Sequence, residues 1–160
     1  MGALKGAFSV LARLAMLAAT VSLCMLVLVL AWQVFGRYVM NESPGWTEPV
    51  ALTLMGVAAL FGAAVAVRNE AHFNFPTLVE SSPAPVRAVL KALARLIALC
   101  FGAALCFYGW VLMTDAWGVP MAGAPMPEGV SFVGVFAGGA LISIFALERL
   151  LSGDPEKKDA

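Results

Sequence analysis

Long uninterrupted apolar runs dominate the chain, and charged residues fall between them. Because a charge is costly at the centre of a bilayer, each charge-free window marks a candidate span. The first lies between Arg13 and Arg37, about 23 residues, enough for a hydrocarbon core of roughly 30 Å. Three more lie between Glu48 and Arg68, Arg95 and Asp115, and Glu128 and Glu148, each about 19 residues long. The pattern predicts spans at about 14–36, 49–67, 96–114 and 129–147 in one four-helix membrane domain covering residues 1–160. The runs are continuous, as in Leu23-Cys24-Met25-Leu26-Val27-Leu28, where barrel strands would alternate apolar and polar positions. The fold class expected is therefore all-α and integral to the membrane. The first run is too long for a signal-peptide core and reads as an uncleaved helix.

Connectors sharpen this. Asn41-Glu42-Ser43-Pro44-Gly45 is turn chemistry, and Ser43 or Thr47 is placed to cap the second helix. Arg87, Lys91 and Arg95 share one helical face beside Val86, Leu90 and Leu93, so a short amphipathic helix is expected before the third span. That face either anchors to anionic headgroups or grips a partner. The stretch from Trp117 to Gly129 is rich in Pro and Gly, apolar, and nearly uncharged. It either lies in the lipid interface or docks on another protein.

Composition agrees with the pattern: 61% of residues are hydrophobic and 12% charged. Soluble domains carry about 45–50% and about 25%. The formal net charge is zero, but its layout is lopsided. Nine of the ten Lys and Arg residues fall in the N-terminal segment, the second connector and the C-terminal tail. The positive-inside rule places both termini in the cytoplasm. On the opposite side Arg37 stands against Glu42, Glu48, Asp115 and Glu128. All four Trp fall toward that side, where, with Tyr38 and Tyr108, they form an interfacial belt.

The chain is poor in chemistry. Its one histidine, His72, does not make a bis-His haem site. Cys24, Cys100 and Cys106 lie within spans and form no C-x-x-C pair. No His/carboxylate cluster has zinc-ligand spacing, and the eight Met are dispersed. A self-sufficient proton-coupled exporter needs an ionisable residue mid-membrane, and no span carries one. Gln33 is the most polar side chain within a span. No carbonyl filter or carboxylate ring suggests a channel. These absences argue against an enzyme and against bound cofactors. They favour an accessory subunit over the alternative, an autonomous small exporter acting as a homo-oligomer. Small residues recur at helical spacing: Ala58, Gly62 and Ala66 in the second span, Ala98, Gly102 and Cys106 in the third, Gly134 and Gly138 in the fourth. Such stripes let helix backbones approach closely, within the chain or against a partner.

One stretch is more specific. Gln33, Gly36, Arg37 and Tyr38 end the first span, and Asn41, Trp46, Thr47 and Glu48 follow. Gly62, Ala66, Arg68 and His72 close the second. This set resembles the small membrane subunit of tripartite ATP-independent periplasmic (TRAP) transporters, the DctQ-like family, with its strong motifs over about residues 32–75. Two positions depart from the family pattern: Pro49 replaces a second Glu, and Leu52 stands where an Arg is usual. The resemblance implies a multi-pass protein of the bacterial inner membrane. It implies two protein partners besides lipid: a large polytopic membrane subunit and a periplasmic substrate-binding protein. The assembly would import an organic acid by symport, with sodium bound on the large subunit and none on this chain. The small subunit would act as a scaffold that helps dock the binding protein. Candidate structural or subunit-interface residues are Gln33, Arg37, Asn41, Trp46, Glu48, Gly62, Arg68, His72, Gly134 and Gly138. Arg37 and Glu48 are expected to pair across the first hairpin around Trp46, or to be solvated separately. Arg68 and His72 either complement a helix C-terminus or meet the large subunit.

Overall fold

A computed structural model describes residues 2–42, 44–69 and 84–152. Among the described residues there are four helices, α1 (Gly2–Tyr38), α2 (Thr47–Arg68), α3 (Ala84–Asp115) and α4 (Val130–Ser152), and a 3-10 turn at Ala116–Gly118. All four are long and apolar enough to cross a membrane. Among the described residues there is no strand, only an isolated antiparallel bridge between Pro120 and Pro127.

Helices outrun the apolar windows. α1 begins at Gly2, well before Arg13, because a charge ends a membrane crossing without ending a helix. The short amphipathic helix expected before the third span is not a separate element. Arg87, Lys91 and Arg95 belong to one 32-residue helix that runs on through the span. No Gly or Pro interrupts it between Pro85 and Gly102, so nothing in the sequence breaks it.

The helices form a row in the order α1, α2, α4, α3, each packing on the next. Every seam rests on small side chains. Among the buried or half-buried positions of α1, Ala12, Ala15, Ala19, Ser22, Leu26, Val29, Gln33 and Gly36 follow one another in steps of three and four. That is the spacing of a left-handed helix pair. The α2–α4 seam follows the same rule. Gly134 lies against Val57 and Gly138 against Leu60, and a Cβ on Gly138 would sit 2.5 Å from that of Leu60. Phe145, fully buried, joins Ala12, Ala64 and Ile142 in a cluster that ties α1, α2 and α4 together. On the far side Gly102 abuts Ile142 and Ser143, Gly109 abuts Phe136, and Gly139 abuts Cys106. Trp110 and Phe136 continue this contact with ring centroids 5.4 Å apart.

Hydrocarbon is as apolar as Leu, so large side chains gain little by leaving lipid for a helix interface, while small ones allow close backbone contact. This explains why Leu14, Leu17, Leu28, Phe101 and Phe107 remain exposed and alanines and glycines are buried. Of the most apolar window of each helix, 33% is buried in α4 and only 11% in α1. α4 is thus the hub and α1 a flank.

Candidate functional site

The row has two ends. One gathers the N-terminus of α1, the C-termini of α2 and α4 and the start of α3. The other carries the two loops, 39–46 and 116–129. Polar and strained features concentrate at these ends.

At the termini end, Arg68 closes α2 and Glu148 lies in the last turns of α4. The guanidinium meets the carboxylate in a fork: Nε donates to Oε2 at 2.9 Å and Nη2 to Oε1 at 3.2 Å. The Glu148 side chain is 8% exposed and that of Arg68 18%. The Arg68 guanidinium also stands over the Phe145 ring, 5.8 Å from its centroid. Next to it, Arg149 Nε donates to the Arg68 carbonyl, giving that α2 terminal group a side-chain partner from α4. A paired, two-point contact is what a charge needs when it sits among apolar helices. A matching polar contact marks the other end of the same seam, where the hydroxyls of Thr53 and Ser131 lie 3.3 Å apart.

At the loop end the chain leaves α1 through Asn41, which adopts a left-handed conformation (φ 57°) that Asn tolerates better than most residues. The reversal lets the Glu42 N–H bond to the Gly36 carbonyl at 3.1 Å. Thr47 is not the N-cap that its type suggested. It is the first residue of α2, fully buried, and its hydroxyl donates back to the Pro44 carbonyl at 2.7 Å. Trp46 occupies the cap position with no side-chain capping bond. Ser43, the other capping candidate, lies outside the described residues.

Between α3 and α4 the chain forms a tight apolar hairpin. The Met121 N–H bonds to the Met126 carbonyl and the Glu128 N–H to the Val119 carbonyl, both at 2.9 Å. Met121 and Ala124 are buried within it. At its tip Gly123 has φ +83°, and a Cβ there would collide with the Gly45 carbonyl of the first loop. The two loops therefore meet backbone to backbone, which only glycine allows at Gly123.

The ten residues singled out in the sequence are not gathered in one place. Gln33 is half-buried on the α1 seam. Arg37 and Glu48 are exposed, and among the described residues no ion pair joins them. Gly36 is the position of α1 that faces the turn, and Arg37, about 100° further round the helix, points elsewhere. Trp46 is 40% exposed. Gly134 and Gly138 pack on α2, whereas a Cβ on Gly62 would meet nothing within 4 Å. Arg68 forms the pair just described, and His72 lies outside the described residues. Glu148, Phe145 and Gly123 were missed. Glu148 had a visible signal, a charge at the same end of its span as Arg68, but nothing in the sequence shows that α2 and α4 are neighbours.

Among the described residues no three His, Cys, Asp or Glu side chains assemble as a metal site. What the fold defines is an all-helical, multi-pass membrane protein whose polar contacts hold helices and loops to one another. Residues 25–155 match the family model for tripartite ATP-independent periplasmic transporters, DctQ component. The chain belongs to that family, the small permease subunits of TRAP transporters. It is also similar to the sialic acid TRAP transporter small permease protein SiaQ of Vibrio cholerae. The two are 28% identical over 137 residues, covering 80% of this chain and 78% of that protein. The family is one of transporter permease subunits and not of enzymes.

Proposed function

We propose that this chain is the scaffold of a three-part importer. It braces the large polytopic membrane subunit, and its loop end receives the soluble substrate-binding protein. The termini lie in the cytoplasm and the loops in the periplasm, with the helices in the bacterial inner membrane. Transport of an organic acid is driven by an ion gradient, with sodium bound on the large subunit and no cofactor on this chain. Family membership supports the partnership in general. The observation that carries the scaffold reading is the open row of helices. Four helices that served only one another would close around a common core. Here α1 and α3 flank the row and keep Leu14, Leu28, Phe101 and Phe107 on open apolar surfaces.

The test is to tag the chain, solubilise native membranes in mild detergent and identify co-purifying proteins by mass spectrometry. One larger polytopic protein at near-equal stoichiometry is the expected result. Homo-oligomers alone, together with solute movement by the isolated chain in vesicles, would overturn it in favour of an autonomous exporter.

A further inference from the structure

We propose that the start of α3 binds an anionic phospholipid, with the phosphate at Arg87 and Lys91 and the acyl chains along the apolar residues beside them. This rests on the reading above, in which the termini end of the row lies at the cytoplasmic leaflet. The register of α3 on α4 carries the first step. Gly102 abuts Ile142 and Ser143, Gly109 abuts Phe136, and Gly139 abuts Cys106, so the two helices run antiparallel. Counted along that register, Ser152, where α4 ends, is level with Leu93. At about 1.5 Å per residue, Lys91 stands about 3 Å and Arg87 about 9 Å beyond the end of α4. Both point within about 20° of the direction of Ala98, which is buried on the α4 side of α3. The stripe that packs on α4 with small residues thus turns cationic where α4 stops.

Charge at this end favours an anion. Among the described residues Glu148 is its one carboxylate, and the fork with Arg68 already occupies it. Arg95 stands level with Arg149, and α3 carries no acid before Asp115. Arg87, Lys91 and Arg95 are half-buried, and each is engaged within the chain. A guanidinium has five N–H donors and an ammonium three, so one partner leaves donors for a phosphate. Positions four apart on a helix have Cβ atoms about 5–6 Å apart, so both cations reach one phosphate. Round the helix from them Val86, Val89 and Leu93 are exposed, and the apolar row continues through Leu96 and Ile97. A soluble anion answers only the cations, whereas a phospholipid answers both faces. Depth agrees. The stretch Val86–Gly118 is 33 residues long. That is about 50 Å of helix, against about 40–45 Å for a bilayer with its headgroups, so the first turns of α3 reach the phosphate layer.

The experiment places the full chain, alone and with its large subunit, in nanodiscs of equal parts phosphatidylglycerol and phosphatidylcholine. Native mass spectrometry then reads the ratio of the two lipids retained on the released protein. An excess of phosphatidylglycerol is expected. Neutralising the site with Arg87→Gln or Lys91→Gln should lower the ratio about fivefold for each charge removed, and Arg87→Lys should keep it. Arg13→Gln, which removes an exposed cation of α1 at the same end, should leave it unchanged. A wild-type ratio near one would overturn the proposal whatever the variants do, and would mean that the charge of α3 is met within the chain. An equal fall with Arg13→Gln would overturn it in favour of diffuse attraction to the leaflet. Loss of the excess when the large subunit is added would give this face to that subunit and overturn the lipid site. Failure of the large subunit to assemble would overturn the scaffold reading alone, because the ratio is also read on the isolated chain.

Discussion

The two ends of the row are fastened by opposite means. At the termini end α2 and α4 are joined by long side chains, the Arg68–Glu148 fork with Phe145 beneath the guanidinium. At the loop end the two connectors meet backbone to backbone, Gly123 on Gly45, with no room for a side chain at Gly123. A fork of charges tolerates small shifts because flexible stems can follow them. A backbone contact does not, since any added atom forces the loops apart. The difference shows that the loop contact leaves less room for an added atom than the charged fork does.

Substitutions can break or sharpen that contrast. The largest effect is expected between the ends, at the seam they bracket. Gly138→Glu places a carboxylate against Leu60, where neither space nor a partner exists, and should abolish folded, detergent-stable protein. Normal yield on size-exclusion chromatography would show that the α2–α4 seam is not needed. Next comes Glu148→Ala, which strands the Arg68 guanidinium among apolar helices. The expected loss is about 3 kcal/mol, read by reversible unfolding in mixed micelles. Exchanging the pair, Arg68→Glu with Glu148→Arg, should recover part of it, and no recovery would show that the charges act independently.

Gly123→Ala should follow, at about 2 kcal/mol, because it combines a left-handed backbone with a clash. Its signature is local: protease cleavage between Trp117 and Gly129 should appear well below the melting temperature of the helices. Cleavage only on global unfolding would mean that the two loops do not depend on each other. Smaller still, Trp46→Ala or Glu48→Ala should leave the isolated chain's melting temperature unchanged and lower the yield of assembled complex. An unchanged yield with altered substrate preference would reject that role. The smallest effect is Gly62→Ala, which meets open space and should leave the melting temperature of the isolated chain where it is. A fall of several degrees would show that α2 packs on this face after all.

Much of the fold was legible in the charge gaps. Four windows between Arg13 and Glu148 gave four helices, because ionic groups and hydrocarbon exclude each other. The helix ends were less legible, since a helix continues past the charge that ends its apolar stretch, as α1 does at Arg13 and α3 at Arg95. Of the small-residue stripes, the one on Ala98, Gly102 and Cys106 meets α4, and that on Gly134 and Gly138 meets α2. Gly62, of the same composition, meets nothing, so spacing alone does not tell a used face from an open one. The ionic pair was hidden for a different reason. Arg68 and Glu148 are eighty residues apart, and their meeting depends on α4 lying beside α2, which no local pattern encodes.

That neighbour relation also sets an order of events during synthesis. The ribosome delivers α1 and α2 first, and these two share a seam of their own. It delivers α3 third, yet the surface α3 rests on is α4, which emerges last. Until residue 130 and beyond have left the ribosome, α3 has no helix of its own chain to settle against, and the nascent protein is a hairpin with a detached third span. α4 carries the seams to both α2 and α3, so a chain truncated in the hairpin loses two interfaces and not one.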